Sequence, residues 1–149
     1  MFNNRLTTAL FLAGLGQIVL VGASVVIPRI LHWREELARL RPLTRQVFTT
    51  YAVYIAGTNL SFGLLSALSP ASLLAPSVLA VAVDGFITVY WGARVVVQFA
   101  YYDRRGSPAG PAARFAEAVL VALFVFLTLV YGTAAVTALR ALTALPRGA

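Results

Sequence analysis

Four long apolar segments constrain what this chain can fold into more than any other feature of its sequence. They cover about residues 6–27, 47–68, 79–102 and 116–139, and the third could begin near Leu73. Each is long enough to cross the hydrocarbon core of a bilayer, which needs about 20 helical residues. Lipid offers no hydrogen bonds to the backbone, so such segments are expected to be helices. The sequence therefore predicts an all-α integral membrane protein, with four transmembrane helices in a single domain over residues 1–149.

Composition agrees with lipid as the solvent for most of the chain. Hydrophobic residues make up 60% of the sequence and charged residues only 11%, whereas a soluble domain has about 25% charged residues. A signal peptide is the alternative for the first segment, because Arg5 precedes an apolar core and "VGAS" offers a cleavage site. The segment stays apolar through Val25, Val26 and Ile27, which favours a transmembrane helix.

The loop after the first segment predicts one amphipathic helix over about residues 29–41, between Pro28 and Pro42. A helical wheel separates an apolar side from a polar side, namely Ile30, Trp33, Leu37 and Leu40 against His32, Glu35, Glu36 and Arg39. Such a helix lies in the headgroup region of a membrane, with its tryptophan as an anchor. We expect either a connector that rides on the membrane surface or a docking site for a cytoplasmic partner.

The arginines predict how the chain is oriented. Short cytoplasmic loops of membrane proteins are enriched in basic residues. The loops after the first and third segments carry Arg29, Arg34, Arg39, Arg41, Arg45, Arg104, Arg105 and Arg114. The opposite side carries only Arg5, Arg140 and Arg147. Both termini are therefore expected outside the cytoplasm, which is the periplasm if the membrane is a bacterial inner membrane.

The third segment combines an apolar composition with a polar stripe. At about 100° per residue, one broad helical face collects Asp84, Thr88, Trp91, Arg94, Gln98 and Tyr101. The opposite face is apolar, with Ala82, Phe86, Val89, Val96 and Ala100. Polar residues within a membrane helix face a bundle interior, a partner or a water-filled cavity. Tyr101 and Tyr102 fall where aromatic side chains form an interfacial belt.

Arg94 needs a partner more urgently than Asp84. Side chains lean toward the N-terminus of their own helix, so in the expected orientation Asp84 leans toward the nearer surface and Arg94 toward the bilayer centre. An unpaired arginine there costs about 3 kcal/mol or more. We expect Arg94 inside the protein or at a subunit contact, and its candidate neighbours are Tyr51, Tyr54, Tyr90, Trp91 and Glu117. Interhelical pairing and a ligand site both remain open for the two charges.

Patterns for catalysis are absent from the sequence. There is no cysteine and only one histidine, His32, so no metal site and no cofactor is predicted. No nucleophile–base set or phosphate-binding glycine loop is found. A net charge of +7 raises nucleic acid as a partner, but no soluble basic face can be drawn. The chain is therefore expected not to be an enzyme and not to bind nucleic acid.

Two functions remain as expectations. The first is a small non-enzymatic accessory or assembly subunit of a larger membrane complex, which docks through intramembrane polar residues and its basic cytoplasmic loop. The second is a small binding or transport protein in which Arg94 holds an anionic lipid-like or quinone-like ligand. Expected partners are membrane lipids and either other membrane subunits or further copies of the chain. Candidate binding residues are Tyr51, Tyr54, Asp84, Tyr90, Trp91, Arg94 and Gln98.

Overall fold

A computed structural model describes residues 2–30, 33–100 and 110–145, and these residues contain helices and no strand. Side chains at positions 2, 3, 27–30, 33, 34, 36, 112 and 113 are not described. Helices in chain order are α1 (Phe2–Ile30), α2 (Trp33–Ala38), α3 (Pro42–Leu68), α4 (Pro70–Leu73), α5 (Val78–Ala100) and α6 (Pro111–Thr143). Four of them, α1, α3, α5 and α6, are long and apolar enough to cross a membrane. The predicted all-α class with four such helices is confirmed.

Prolines and one serine set the helix boundaries, and they shift the predicted ones. Both α3 and α6 begin at a proline, one to two turns earlier than predicted, because a proline in the first turn lacks only an N–H that would be unpaired anyway. At the start of α5, the N–H of Ala80 donates to Oγ of Ser77 at 3.1 Å, which caps the helix. The first segment does not close at Pro28, since α1 continues to Ile30.

The predicted amphipathic helix over residues 29–41 is shorter in the structure. Residues 29 and 30 belong to α1, and α2 has only six residues, Trp33–Ala38. Glu35 and Arg39 are exposed and Leu37 is half-buried, as the wheel predicted, but Leu40, on the predicted apolar side, is 41% exposed because α2 ends before it. His32 lies outside the described residues, as do Tyr101 and Tyr102, and the side chain of Trp33 is not described. The placement of α2 at a membrane surface stays a prediction.

The described residues group into two compact units, one being Phe11–Leu68 and the other Met1–Leu10 with Ser69–Ala149. In the Phe11–Leu68 unit, α1 and α3 touch through their backbones. A Cβ placed on Gly14 would lie 2.6 Å from the amide nitrogen of Ala67 and 2.7 Å from the carbonyl oxygen of Gly63. Residues 38–55 are exposed throughout, so α1 and α3 are in contact toward the C-terminal end of α3.

In the other unit, α5 and α6 run antiparallel and share a continuous buried seam. The seam residues recur at intervals of three and four on both helices, as helix pairs require. They are Ala80, Asp84, Ile87 and Trp91 on α5, and Phe124, Leu127, Tyr131, Ala134 and Ala138 on α6. The apolar face predicted for α5 is confirmed as outward, because Phe86, Val89 and Val96 are each more than 60% exposed.

Candidate functional site

Small residues bring α5 and α6 together at their centre. A Cβ on Gly132 would lie 3.4 Å from Cγ2 of Thr88, and a Cβ on Gly92 would lie 3.7 Å from Cγ2 of Thr128. Both threonine hydroxyls donate to carbonyl oxygens of their own helix, Thr88 to Asp84 at 2.7 Å and Thr128 to Phe124 at 2.8 Å. The threonines therefore turn their methyl groups toward the glycines of the neighbouring helix, and the polar atoms stay satisfied.

Asp84 is buried in this unit. Its side chain has 0% exposure, and neither carboxylate oxygen has a hydrogen-bond partner among the described residues. On α6, Tyr131 is also 0% exposed. Trp91–Phe124 and Gln98–Glu117 are contacts seven residues apart on each helix, and the same step leads to Asp84 and Tyr131. The helix register thus sets Asp84 opposite Tyr131.

An aromatic cluster follows Asp84 along the seam. The Trp91 ring, 1% exposed, stacks on the Phe124 ring with centroids 5.3 Å apart and an interplanar angle of 25°. Tyr90 meets Trp91 edge to face at 5.2 Å. The guanidinium of Arg94 contacts this cluster at Phe124, and the expected contacts of Arg94 with Tyr90 and Trp91 stay predictions. Trp91 acts mainly as the packing centre of the helix pair.

Arg94 lies one turn further and is exposed within this chain. Its guanidinium carbon sits 5.7 Å from the centroid of the Phe124 ring, which is within the range of a cation–π contact. It forms no ion pair with Glu117 among the described contacts, and Oε1 of Glu117 accepts from the Gln98 amide at 3.5 Å. Among the described residues, Arg94 therefore has an aromatic partner and no counter-charge.

Next to the Gln98–Glu117 contact, α5 and α6 border a surface groove of about 410 Å³. Its lining consists of Phe99, Arg114, Glu117, Ala118, Val121 and Ala122. Arg114 is exposed, and its guanidinium has no hydrogen bond or ion pair with a described residue. The groove thus combines an apolar floor with one cation and one carboxylate.

Tyr51 and Tyr54 belong to the other unit, on the N-terminal half of α3, and they are 65% and 70% exposed. The buried polar residues of that unit are Gln17, Asn59 and Ser66. Gln17 donates from Nε2 to the carbonyl oxygen of Ala13 at 3.4 Å. Oδ1 of Asn59 is buried without a partner among the described residues.

The structure divides the predicted stripe by exposure. Asp84 and Trp91 are buried, Tyr90 and Gln98 are half-buried, and Arg94 is exposed; the other candidates, Tyr51 and Tyr54, are exposed within their own unit. Sequence reasoning missed Phe124, Tyr131 and Arg114 as members of the region. Phe124 and Tyr131 carry a usable signal, since they belong to an apolar series that recurs at intervals of three and four along the fourth segment.

Within the described residues, no group of three or more histidine, cysteine, aspartate or glutamate side chains lies close enough to hold a metal ion. Comparison with known proteins adds no assignment: no family model, curated protein or solved structure matches this chain.

Proposed function

We propose that this chain is an integral membrane protein that assembles with other membrane protein subunits through Arg94. The observation that carries the proposal is the exposed guanidinium of Arg94, which has an aromatic ring beneath it and no counter-charge among the described residues. A charge in that state is costly in lipid, by about 3 kcal/mol or more. A carboxylate on a neighbouring subunit would offset this cost.

The surroundings of Arg94 support an intermolecular contact. Phe124 holds the guanidinium against α6, which limits the side-chain entropy lost on binding. Gln98, one turn away, is already bonded to Glu117, so it does not compete for an incoming carboxylate. Asp84, in contrast, is enclosed within its unit, and we assign it no role in docking.

The exposed N-terminal half of α3 is the second surface that we assign to assembly. Tyr51 and Tyr54 lie one turn apart on it, and tyrosine is enriched at protein interfaces. The basic residues Arg39, Arg41 and Arg45 precede or begin this half and are exposed. In the orientation predicted from the arginines, they lie at the cytoplasmic surface and attract anionic lipid.

The proposal is tested by native mass spectrometry of the protein extracted from its own membrane in mild detergent. We expect a stoichiometric set of other membrane subunits, which Arg94→Leu releases and Arg94→Lys partly retains. Arg140→Leu is the matched control, because Arg140 is also exposed but lies at the far end of α6.

Two outcomes would overturn the proposal. If the subunits persist in Arg94→Leu and a bound anionic small molecule is lost, Arg94 is the ligand-binding residue of a binding or transport protein. If neither subunits nor ligand change, Arg94 has no intermolecular role.

A further inference from the structure

The α5–α6 groove has a composition that fits one class of membrane lipid. Its floor is apolar, formed by Phe99, Ala118, Val121 and Ala122. Two alanines one turn apart leave space beside the helix, which an extended acyl chain can occupy. The span on α6 begins at Arg114, so the charged end of the groove coincides with the end of that span.

Charge then selects among lipids. Arg114 and Glu117 are three residues apart on one helix, which places their side chains as neighbours about 5–6 Å apart at Cβ. Both lean toward the N-terminal end of α6, and thus toward the same membrane surface. A cation and a carboxylate side by side match a headgroup in which a phosphate and an ammonium are joined by a two-carbon linker.

We propose that the groove binds a zwitterionic aminophospholipid, with its phosphate on Arg114 and its ammonium on Glu117. Arginine is suited to the phosphate because its guanidinium offers parallel N–H donors. Glu117 accepts from the Gln98 amide and has a further interaction within the chain, and since a carboxylate has about four acceptor positions, it can accept from an ammonium as well. An anionic lipid would instead meet the negative charge of Glu117, and a trimethylated ammonium has no N–H to donate.

This inference rests on the membrane insertion proposed above, but it does not depend on assembly through Arg94. The test is native mass spectrometry of the purified protein with added phosphatidylethanolamine, phosphatidylcholine or phosphatidylglycerol of identical acyl chains. We expect phosphatidylethanolamine to bind about tenfold more tightly than either of the others, which corresponds to one charge-assisted hydrogen bond.

Variants assign this preference to the groove. Glu117→Gln, which can still accept from Gln98, should reduce phosphatidylethanolamine to the level of phosphatidylcholine. Arg114→Gln should weaken all three lipids, whereas Arg140→Gln, at the other end of α6, should change none. Ala118→Phe fills the floor of the groove without touching a charge, and it should also lower binding of all three.

Equal binding of the three lipids, tightest binding of phosphatidylglycerol, or an unchanged preference in Glu117→Gln would each overturn the inference. Loss of subunits in Arg94→Leu with the lipid preference intact would leave it standing and confirm assembly. Loss of the preference in Glu117→Gln with no effect of Arg94→Leu would support the groove alone.

Discussion

Asp84 buries two carboxylate oxygens without a hydrogen-bond partner among the described residues, in the N-terminal third of a helix that is long enough to span a membrane. A buried polar group without a partner costs about 1–3 kcal/mol of stability. The neighbouring Thr88 hydroxyl does not reduce this cost, because it donates to the backbone carbonyl of Asp84 rather than to the carboxylate. Asp84 is therefore expected to lower the stability of its unit rather than to support it.

Replacing Asp84 should stabilise the protein. Asp84→Leu keeps the branching of the side chain and removes the unpartnered oxygens, so we expect the free energy of unfolding to rise by about 1–3 kcal/mol. Asp84→Asn keeps polar atoms in the same place and should give a smaller gain. Unfolding by sodium dodecyl sulfate in mixed micelles, followed by circular dichroism, measures both. A clear loss of stability in Asp84→Leu would show that the carboxyl group has a partner.

Trp91 is the opposite case, since it was a candidate for binding and its geometry is that of a packing residue. Trp91→Ala removes a ring that is 1% exposed and stacked on Phe124. In a soluble core such a change costs about 3–5 kcal/mol. In lipid or detergent the loss of stability should be somewhat smaller, because apolar surface that is exposed there is not transferred to water. Phe86→Ala, on the 61% exposed outer face of α5, is the control and should cost much less in the same assay.

At the scale of helices, the sequence predicts existence and order well and predicts packing only in part. The four long helices follow from apolar length alone, because an apolar segment of that length in lipid can pair its backbone N–H and C=O groups only within a helix. The predicted starts of α3 and α6 were wrong, because Pro42 and Pro111 were interpreted as residues between helices although each occupies the first helical position. A helical wheel gives the direction of Arg94 around its own axis. The wheel does not give the distance between α5 and α6 at the position of Arg94, and this distance decides how exposed Arg94 is.

The α1–α3 contact gives the sharpest prediction at this scale. A Cβ on Gly14 would overlap backbone atoms of α3, and backbone cannot rotate away as a flexible side chain can. We expect Gly14→Ala to lower the free energy of unfolding by about 1–3 kcal/mol, as overpacking does. Gly22→Ala is the matched control on the same helix, because nothing lies within 4 Å of its Cβ position. There the better helix propensity of alanine should leave stability unchanged or raise it by up to about 1 kcal/mol.

Equal effects of the two alanines would contradict the close approach of α1 and α3. Such a result would show that Gly14 is no more crowded than Gly22.

For the whole molecule, the arginine distribution predicts an orientation that a fusion experiment can check. A reporter that is active only in the periplasm should be active when it is fused after Ala149 and silent when it is inserted after Gly106. The physical reason is that eight arginines flank the two predicted cytoplasmic loops, against three on the other side. Activity at Gly106 with silence at Ala149 would reverse the orientation, and with it the side of the membrane on which we place Arg94.

The backbone contact at Gly14 and Gly63 lies near the C-terminal end of α3, and most of the helix extends away from it. The segment of α3 from Gly63 back to Pro42 spans 21 residues, or about 31 Å at 1.5 Å per residue. A tilt of about 5° about this contact would move Pro42 by about 3 Å, because displacement grows with distance along a rigid helix. Residues 42–55 are exposed, whereas Asn59, Gly63 and Ser66 near the contact are buried, so the packing that opposes a tilt is concentrated at the contact. Tyr51 and Tyr54 lie 12 and 9 residues from Gly63, or about 18 and 14 Å along the helix, so the same tilt would shift the positions of these rings by about 1–2 Å.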